Sequence, residues 1–237
     1  MKPLRLATFN VQHFCNYGTD EIDYPAFTEA LNALDADIVG INESYGPGGR
    51  CGERAQIEIP ARALAMNSFF APACVIPGWG IYGNSLLSRF AIVEAESVPI
   101  PDPEPRKYNG YYETRCVLLA TLLTDAGPLT VAETHFGLNP DEHENAVRTL
   151  EGLIRPERFV LMGDLNVTPE DPVLSPIRTR LRDTADALGD RTLSFSSDAP
   201  DRRIDYIFVS PDIEILAADI PAVTVSDHRP YLACVDI

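Results

Sequence analysis

Phe159-Val160-Leu161-Met162-Gly163-Asp164-Leu165-Asn166 is the stretch on which the reading of this chain turns. Phe159 to Met162 is apolar at every position, as in a strand buried on both faces. The run then stops at a carboxylate and an amide. Side chains two apart on an extended chain share a face, so Asp164 and Asn166 are placed to reach one ligand. A plain turn is the competing explanation, because Asp and Asn both bond their own backbone.

Working outward, the same ending recurs too often for turns alone. Leu4–Phe9 runs into Asn10, Asp37–Ile41 runs into Asn42 and Glu43, and the run from Leu129 ends in Glu133-Thr134-His135. Arg203-Ile204-Asp205 opens a strand to Val209, and Ser226-Asp227-His228-Arg229-Pro230 precedes the apolar run Tyr231–Ile237. Acids, amides and histidines thus stand where apolar strands leave the core, which is where a rigid scaffold presents catalytic groups. A carboxylate beside a buried strand, as at Asp205, is costly without a partner such as a histidine.

Ser85–Leu87 and Val117–Leu123 are further strand-length runs. Helical spacing appears over Pro25–Leu34, with Phe27, Ala30, Leu31 and Leu34 on one stripe, and over Asp141–Ile154, with Ala146, Val147, Leu150, Leu153 and Ile154. Many strands with few helices predict an α+β fold of two packed sheets covered by helices. With no internal repeat and no Gly/Ser linker, residues 1–237 read as one domain, and the Pro-rich stretch Val98–Pro105 as a surface loop.

The composition, 45% hydrophobic and 23% charged over 237 residues, is that of ordinary globular material. Acids outnumber bases 35 to 19, for a net charge of −16, which disfavours a non-specific duplex DNA binder, since such proteins need a cationic face. Cys15, Cys51, Cys74, Cys116 and Cys234 lack metal-type spacing and read as free thiols in a reducing compartment, with no structural zinc. No apolar run approaches the roughly 20 residues that span a bilayer, and the chain enters its first strand without a leader pattern. A cytoplasmic protein is expected.

The strand-end residues suit phosphoryl hydrolysis. Hard oxygen ligands from Asn10, Glu43 and Asp227 match Mg²⁺ or Mn²⁺. An Asp205–His228 couple would orient an imidazole. Asp164 would orient or deprotonate a water, while Asn166 and His135 donate to charge on phosphoryl oxygens.

At these residues the sequence resembles the endonuclease/exonuclease/phosphatase family, which includes deoxyribonuclease I, AP endonucleases, sphingomyelinases and inositol polyphosphate 5-phosphatases. The matching segments are Thr8-Phe9-Asn10, Ile38–Glu43, Gly83–Arg89, Thr134-His135-Phe136, Gly163–Asn166, Arg203–Tyr206 and Ser226–Pro230, in the family's order and nearly end to end. The resemblance implies a four-layer α/β/β/α sandwich and divalent-metal-dependent phosphoester hydrolysis. It puts Asn10 and Glu43 on the metal-site amide and glutamate, and Asp164 and Asn166 on the water-orienting and phosphate-contacting pair. Asp205 and His228 fall on the Asp–His couple, Asp227 on an adjacent acid that is a frequent metal ligand. His135 matches a histidine of the deoxyribonuclease and sphingomyelinase branches. Gln12 departs from the pattern, standing where many relatives carry aspartate, so a single metal ion is expected.

The substrate is less sharply written. Only two lysines, Lys2 and Lys107, occur, and no basic stripe interleaved with aromatics suits single strands. Pro105–Arg115, with two arginines and three tyrosines ahead of a strand, suits a phosphate carrying a ring. Arg115, Arg106, Tyr112 and Asn84 are the expected substrate contacts, and Arg50 and Arg54 weaker ones. Phe69-Phe70 reads as core and Trp79, between two glycines, as a loop rim. The leading expectation is a phosphodiesterase or phosphatase acting on a small or flexible phosphoester. A DNA or RNA nuclease is the alternative, and an inactive phosphate-binding scaffold ranks third because only Gln12 departs from the site pattern.

Overall fold

The structure, a computed structural model, describes residues 2–49, 52–189 and 192–237. Along the chain run β1 (Leu4–Asn10), the two-residue strands β2 (Cys15–Asn16) and β3 (Glu21–Ile22), α1 (Tyr24–Leu34), β4 (Ile38–Tyr45) and α2 (Glu58–Leu64). β5 (Asn67–Ile76), β6 (Gly80–Ser88), β7 (Ala91–Pro99), β8 (Cys116–Thr124), β9 (Gly127–His135) and α3 (Pro140–Leu153) follow. The chain continues with β10 (Phe159–Asp164), α4 (Ser175–Arg178), β11 (Arg182–Asp183), α5 (Thr184–Leu188), β12 (Asp205–Val209), β13 (Glu214–Asp219) and β14 (Tyr231–Asp236).

Among the described residues these strands form two six-stranded sheets, in the orders β13-β14-β1-β4-β6-β5 and β11-β12-β10-β9-β8-β7. Leu6, Ile38 and Leu86 of the first sheet meet Leu118, Val131, Met162 and Ile207 of the second in a shared core. The outer face of the first sheet packs under α1 and α2 through Phe27, Leu31, Leu34 and Ala61. The outer face of the second packs under α3 and α4 through Ala146, Val147, Leu150 and Ile177. The molecule is therefore an α+β sandwich of four layers, α/β/β/α, as expected. The first sheet also shows that chain order is not spatial order. β13 and β14 follow the whole second sheet in sequence, yet β14 pairs antiparallel with β1.

The helices start where their caps dictate. Asp23 accepts a hydrogen bond from Ala26 N at 3.0 Å at the head of α1, with Pro25 in the first turn. Asn139 and Glu142 form a capping box at the head of α3.

One expectation needs correction. Val98 and Pro99 end β7, so the Pro-rich stretch begins as strand and continues from Ile100 as loop. This is an edge strand, where a proline without a donor is tolerated. Strands β5, β7 and β13, with the two-residue β2, β3 and β11, add to the expected set. Phe69 and Phe70 lie on β5, half-buried, one against the inner core and one against the outer, and Trp79 is exposed at the β5–β6 turn. Cys74, Cys116 and Cys234 are free thiols, whereas Cys51 and Arg50 lie outside the described residues. No described helix is long and apolar enough to cross a membrane.

Candidate active site

Register alone gathers the polar strand ends. β1 and β4 are parallel and pair Asn10 with Asn42. β10 lies between parallel β9 and antiparallel β12, so Asp164 is flanked by His135 on one side and Asp205 on the other. The first sheet thus contributes Asn10, Asn42 and Glu43, and the second His135, Asp164 and Asp205, at one end of the sandwich.

Local backbone departures then aim the side chains. The β4–β6 pairing shifts register between Ile41 and Ser44, and Glu43 sits at φ 60° within that bulge. Asn166 is also left-handed, at φ 52°. Non-glycine residues seldom adopt this region, and it concentrates at functional sites. Gly163, at φ 140°, lies so close to the Thr134 backbone that no Cβ fits, which lets β10 press against β9 just before Asp164.

The groups meet at one atom, Asp164 Oδ2. Asn10 Nδ2 donates to it at 3.1 Å, His135 Nε2 lies 3.4 Å away and His228 Nε2 3.5 Å away. Asn10 Nδ2 also donates to Glu43 Oε1 at 3.1 Å, so one amide ties two carboxylates together. Its Oδ1 accepts from Gln12 N at 3.1 Å. That oxygen keeps a second lone pair, and the amide nitrogen of the same side chain steadies Glu43.

The two histidines are set differently. His228 Nδ1 contacts Asp205 Oδ2 at 2.9 Å, and the ring packs on Phe195 with centroids 4.8 Å apart. Burial pulls the His228 imidazole down, but the carboxylates of Asp205 and Asp164 outweigh it and raise it to about 10. His135 is buried too, and there burial and the neighbouring Arg115 both hold it well below the usual range. Arg115 approaches His135 Nδ1 at 3.0 Å. A guanidinium only donates, so Nδ1 accepts and the neutral ring keeps its proton on Nε2, toward Asp164; the Asn166 amide nitrogen, 3.1 Å from Nε2, then donates to Phe136 O at 3.1 Å rather than to the ring. Burial pushes the Asp164 carboxyl up.

Glu43, Arg115, His135, Asp164, Asn166 and His228 line a cleft of about 360 Å³, with His13, Tyr45, Tyr82, Tyr111 and Glu113 around it. A slightly larger hollow of about 410 Å³, between Pro101–Pro105 and α3, gathers no such set of converging groups among the described residues.

Beneath the cleft the sheets are pinned by polar contacts. Asn42 Nδ2 donates to Asn84 Oδ1 and to Thr134 O, both at 3.1 Å, and Asn42 Oδ1 accepts from Asp164 N at 2.9 Å. One layer further in, Thr8 donates to the fully buried Glu133 at 3.2 Å, and a Cβ on Gly40 would drive into that carboxyl.

Of the residues expected at the site, Asn10, Glu43, His135, Asp164, Asn166, Asp205, His228 and Arg115 are brought together. Asp227 sits beside them, half-buried, accepting from Ser226 Oγ at 3.1 Å. Asn10, Asp205 and Asp227 do not themselves line the cleft, and three further expected residues lie apart from it. Asn84 is buried below it, its amide donating to Cys116 O at 3.0 Å. Tyr112 donates to Asp141 of α3 at 2.9 Å, and Arg106 stacks over the Tyr112 ring at 4.7 Å. The Asp141 carboxylate, which also takes Lys107 N, draws this segment onto the head of α3. Arg54 is exposed and does not line the cleft. Glu113 and Tyr111 face the cleft in place of Tyr112, with Arg115 2.7 Å from Glu113 and Tyr111 donating to Glu113 at 2.9 Å. The alternation of an extended chain would have named them, because they share the face of Arg115. His13 was missed altogether, and only its nearness to Asn10 in sequence could have pointed to it.

The endonuclease/exonuclease/phosphatase family pattern matches residues 7–228, and the chain belongs to that family, whose members hydrolyse phosphoesters and generally depend on a divalent metal. Among curated proteins none matches significantly. Solved structures with this fold include a family member from Beutenbergia cavernae, 23% identical, with a TM-score of 0.81 over 100% of this chain and 72% of the other. A mannosyl-6-phosphatase of Bacteroides thetaiotaomicron is 17% identical with a TM-score of 0.75, covering 99% of this chain and 100% of its own. The human Nocturnin catalytic domain is 16% identical with a TM-score of 0.73, covering 99% and 93%. At these identities the likeness speaks for the fold alone.

Proposed function

We propose that this chain is a divalent-metal-dependent phosphoester hydrolase, a phosphodiesterase acting on a small or flexible substrate by attack of water, with residues 1–237 working as one catalytic domain. The observation that carries this reading is the convergence on Asp164 Oδ2 of Asn10, His135 and His228 from both sheets. In this reading Asp164 positions the attacking water and takes its proton. His135 Nε2–H and the His228 imidazole donate to the phosphoryl oxygens, Asn166 fixes the phosphate, and Arg115 faces it. Asp205 holds His228 in one orientation.

The donor set fits a hard divalent cation, Mg²⁺ or Mn²⁺. Glu43, steadied by Asn10, would hold it, with Asp227 assisting. When bound, such an ion supplies Lewis-acid stabilisation of the charge on the phosphoryl oxygens. Asp164, Asp205 and His228 also offer ligand atoms within 4.8 Å of one another. His228 Nδ1 is committed to Asp205, however, which favours imidazole orientation over a metal seat there. The free thiols of Cys74, Cys116 and Cys234 fit a reducing compartment such as the cytoplasm.

A small substrate is favoured because, among the described residues, the cleft contains a single arginine, Arg115, already opposed by Glu113. The test is hydrolysis of bis(p-nitrophenyl) phosphate and p-nitrophenyl phosphate with Mg²⁺, Mn²⁺ or EDTA, by wild type and Asp164→Ala. Turnover should require metal, favour the diester, and fall by about 10²–10⁴-fold in the variant. Turnover that survives EDTA, or an Asp164→Ala variant as fast as wild type, overturns the reading.

A further inference from the structure

His13 reaches the cleft but has no part in the chemistry above. Its backbone is unusual: Gln12, His13 and Phe14 stand consecutively at φ 44°, 60° and 61°. Such conformations persist only where the surroundings hold them. Here Gln56 Nε2 donates to His13 O at 2.8 Å, and the imidazole packs against the contacting pair Tyr45 and Tyr82, with ring centroids 5.2 Å and 5.5 Å away. The product of this arrangement is one contact, His13 Nε2 to Glu43 Oε2 at 3.5 Å.

Both atoms are accessible to an ion. Glu43 spends Oε1 on the Asn10 amide, which leaves Oε2 facing the cleft. The two side chains keep 30% and 21% exposure, in contrast to the buried Asp164 and Asp205. His13 Nδ1 is buried without a partner, so no carboxylate draws the ring elsewhere. Two donors in adjacent positions on one ion, each about 2.1 Å from it, lie roughly 3 Å apart. The observed separation is within a small side-chain rotation of that value.

We propose that His13 Nε2 and Glu43 Oε2 together hold the divalent cation, and that this nitrogen makes the site favour a first-row transition ion over Mg²⁺. The inference rests on the reading of Glu43 as the metal carboxylate. Its chemical basis is ligand softness: Mg²⁺ takes hard oxygens and keeps its waters, imidazole suits Zn²⁺, Fe²⁺ and Ni²⁺ best, and Mn²⁺, at the weak end of that transition series, still accepts imidazole more readily than Mg²⁺ does. A plain His13–Glu43 ion pair is the competing account, and it makes the opposite forecast, since a cation would then have to displace the imidazole.

Mn²⁺ is the probe, because it is paramagnetic and its spin-echo spectrum reports a coordinated imidazole nitrogen directly. Wild type, His13→Asn and His13→Gly would be stripped with EDTA and titrated with Mn²⁺, with Mg²⁺ added in competition. Asn and Gly both tolerate the left-handed backbone, so agreement between the two variants separates loss of the nitrogen from local distortion. The ¹⁴N modulation should be present in wild type and lost in both variants. Mn²⁺ affinity should fall at least about tenfold, the lower end of what even an outer-shell partner is worth, and Mg²⁺ affinity should fall less. Modulation that persists undiminished in both variants, or equal losses for the two ions, overturns the role of His13 while leaving the metal reading standing. Failure of wild type to bind Mn²⁺ overturns both.

Discussion

Asp205 shows how much of the site depends on single atoms. Its Oδ2 holds the His228 imidazole, whereas its Oδ1 is buried without a partner, a cost accepted in order to place one charge. Asp205→Asn should therefore lower kcat by about 10²-fold or more, because the amide cannot support the charged ring, while the melting temperature moves little. Parallel hydrolysis assays and thermal melts check this. Much of this scale was legible in the sequence. Asp164, Asn166, His135, Asp205 and His228 announced themselves because an apolar strand that ends in a charge is unusual, and the flanking residues fixed the strand. Glu113 and Tyr111 were hidden behind their more conspicuous neighbours Arg106 and Tyr112, which Asp141 captures from a helix distant in sequence. His13 was invisible for another reason: three left-handed residues in a row are a tertiary outcome that no local propensity foretells.

Among the elements, β9 carries the least expected group, Glu133, fully buried between the sheets. Burial pushes its carboxyl well above the usual range. A folded-state value above the unfolded one means the folded chain binds the proton more tightly. The associated stability is complete below the unfolded pKa, near 4.5, and is lost as pH rises toward the folded value. Glu133→Gln, which mimics the acid form, should flatten that loss and melt higher than wild type at pH 8. Melting curves from pH 5 to pH 8 decide it, and parallel slopes in the two proteins would refute it. Gly40 exists opposite this carboxyl because nothing larger fits. Gly40→Ala should cost about 1–3 kcal/mol by overpacking, and a second change, Glu133→Ala, should recover part of that loss in a double-mutant cycle. The central strands could be read in advance because burial on both faces leaves continuous apolar runs. The edge strands β7 and β13 could not, since their exposed faces carry Glu94, Glu96, Glu214 and Asp219, which look like loop.

On the scale of the whole molecule the net charge of −16 and the single arginine among the described residues of the cleft make one forecast. Hydrolysis of a small ester should vary by less than about tenfold between 50 and 200 mM salt, whereas a protein neutralising six to ten phosphates loses about 10³–10⁵ in affinity over that range. A steep salt dependence on oligonucleotides would move the chain toward the nucleases. The sandwich also has a consequence for synthesis on the ribosome. The first sheet begins with β1 but gains its last strands, β13 and β14, only after the entire second sheet has been made. Until then one edge of β1 is an unpaired template open to other chains, and His228 has yet to emerge. A nascent chain halted after Val209 would thus present a sticky, catalytically incomplete intermediate, and the same short C-terminal segment that silences the edge delivers the final imidazole.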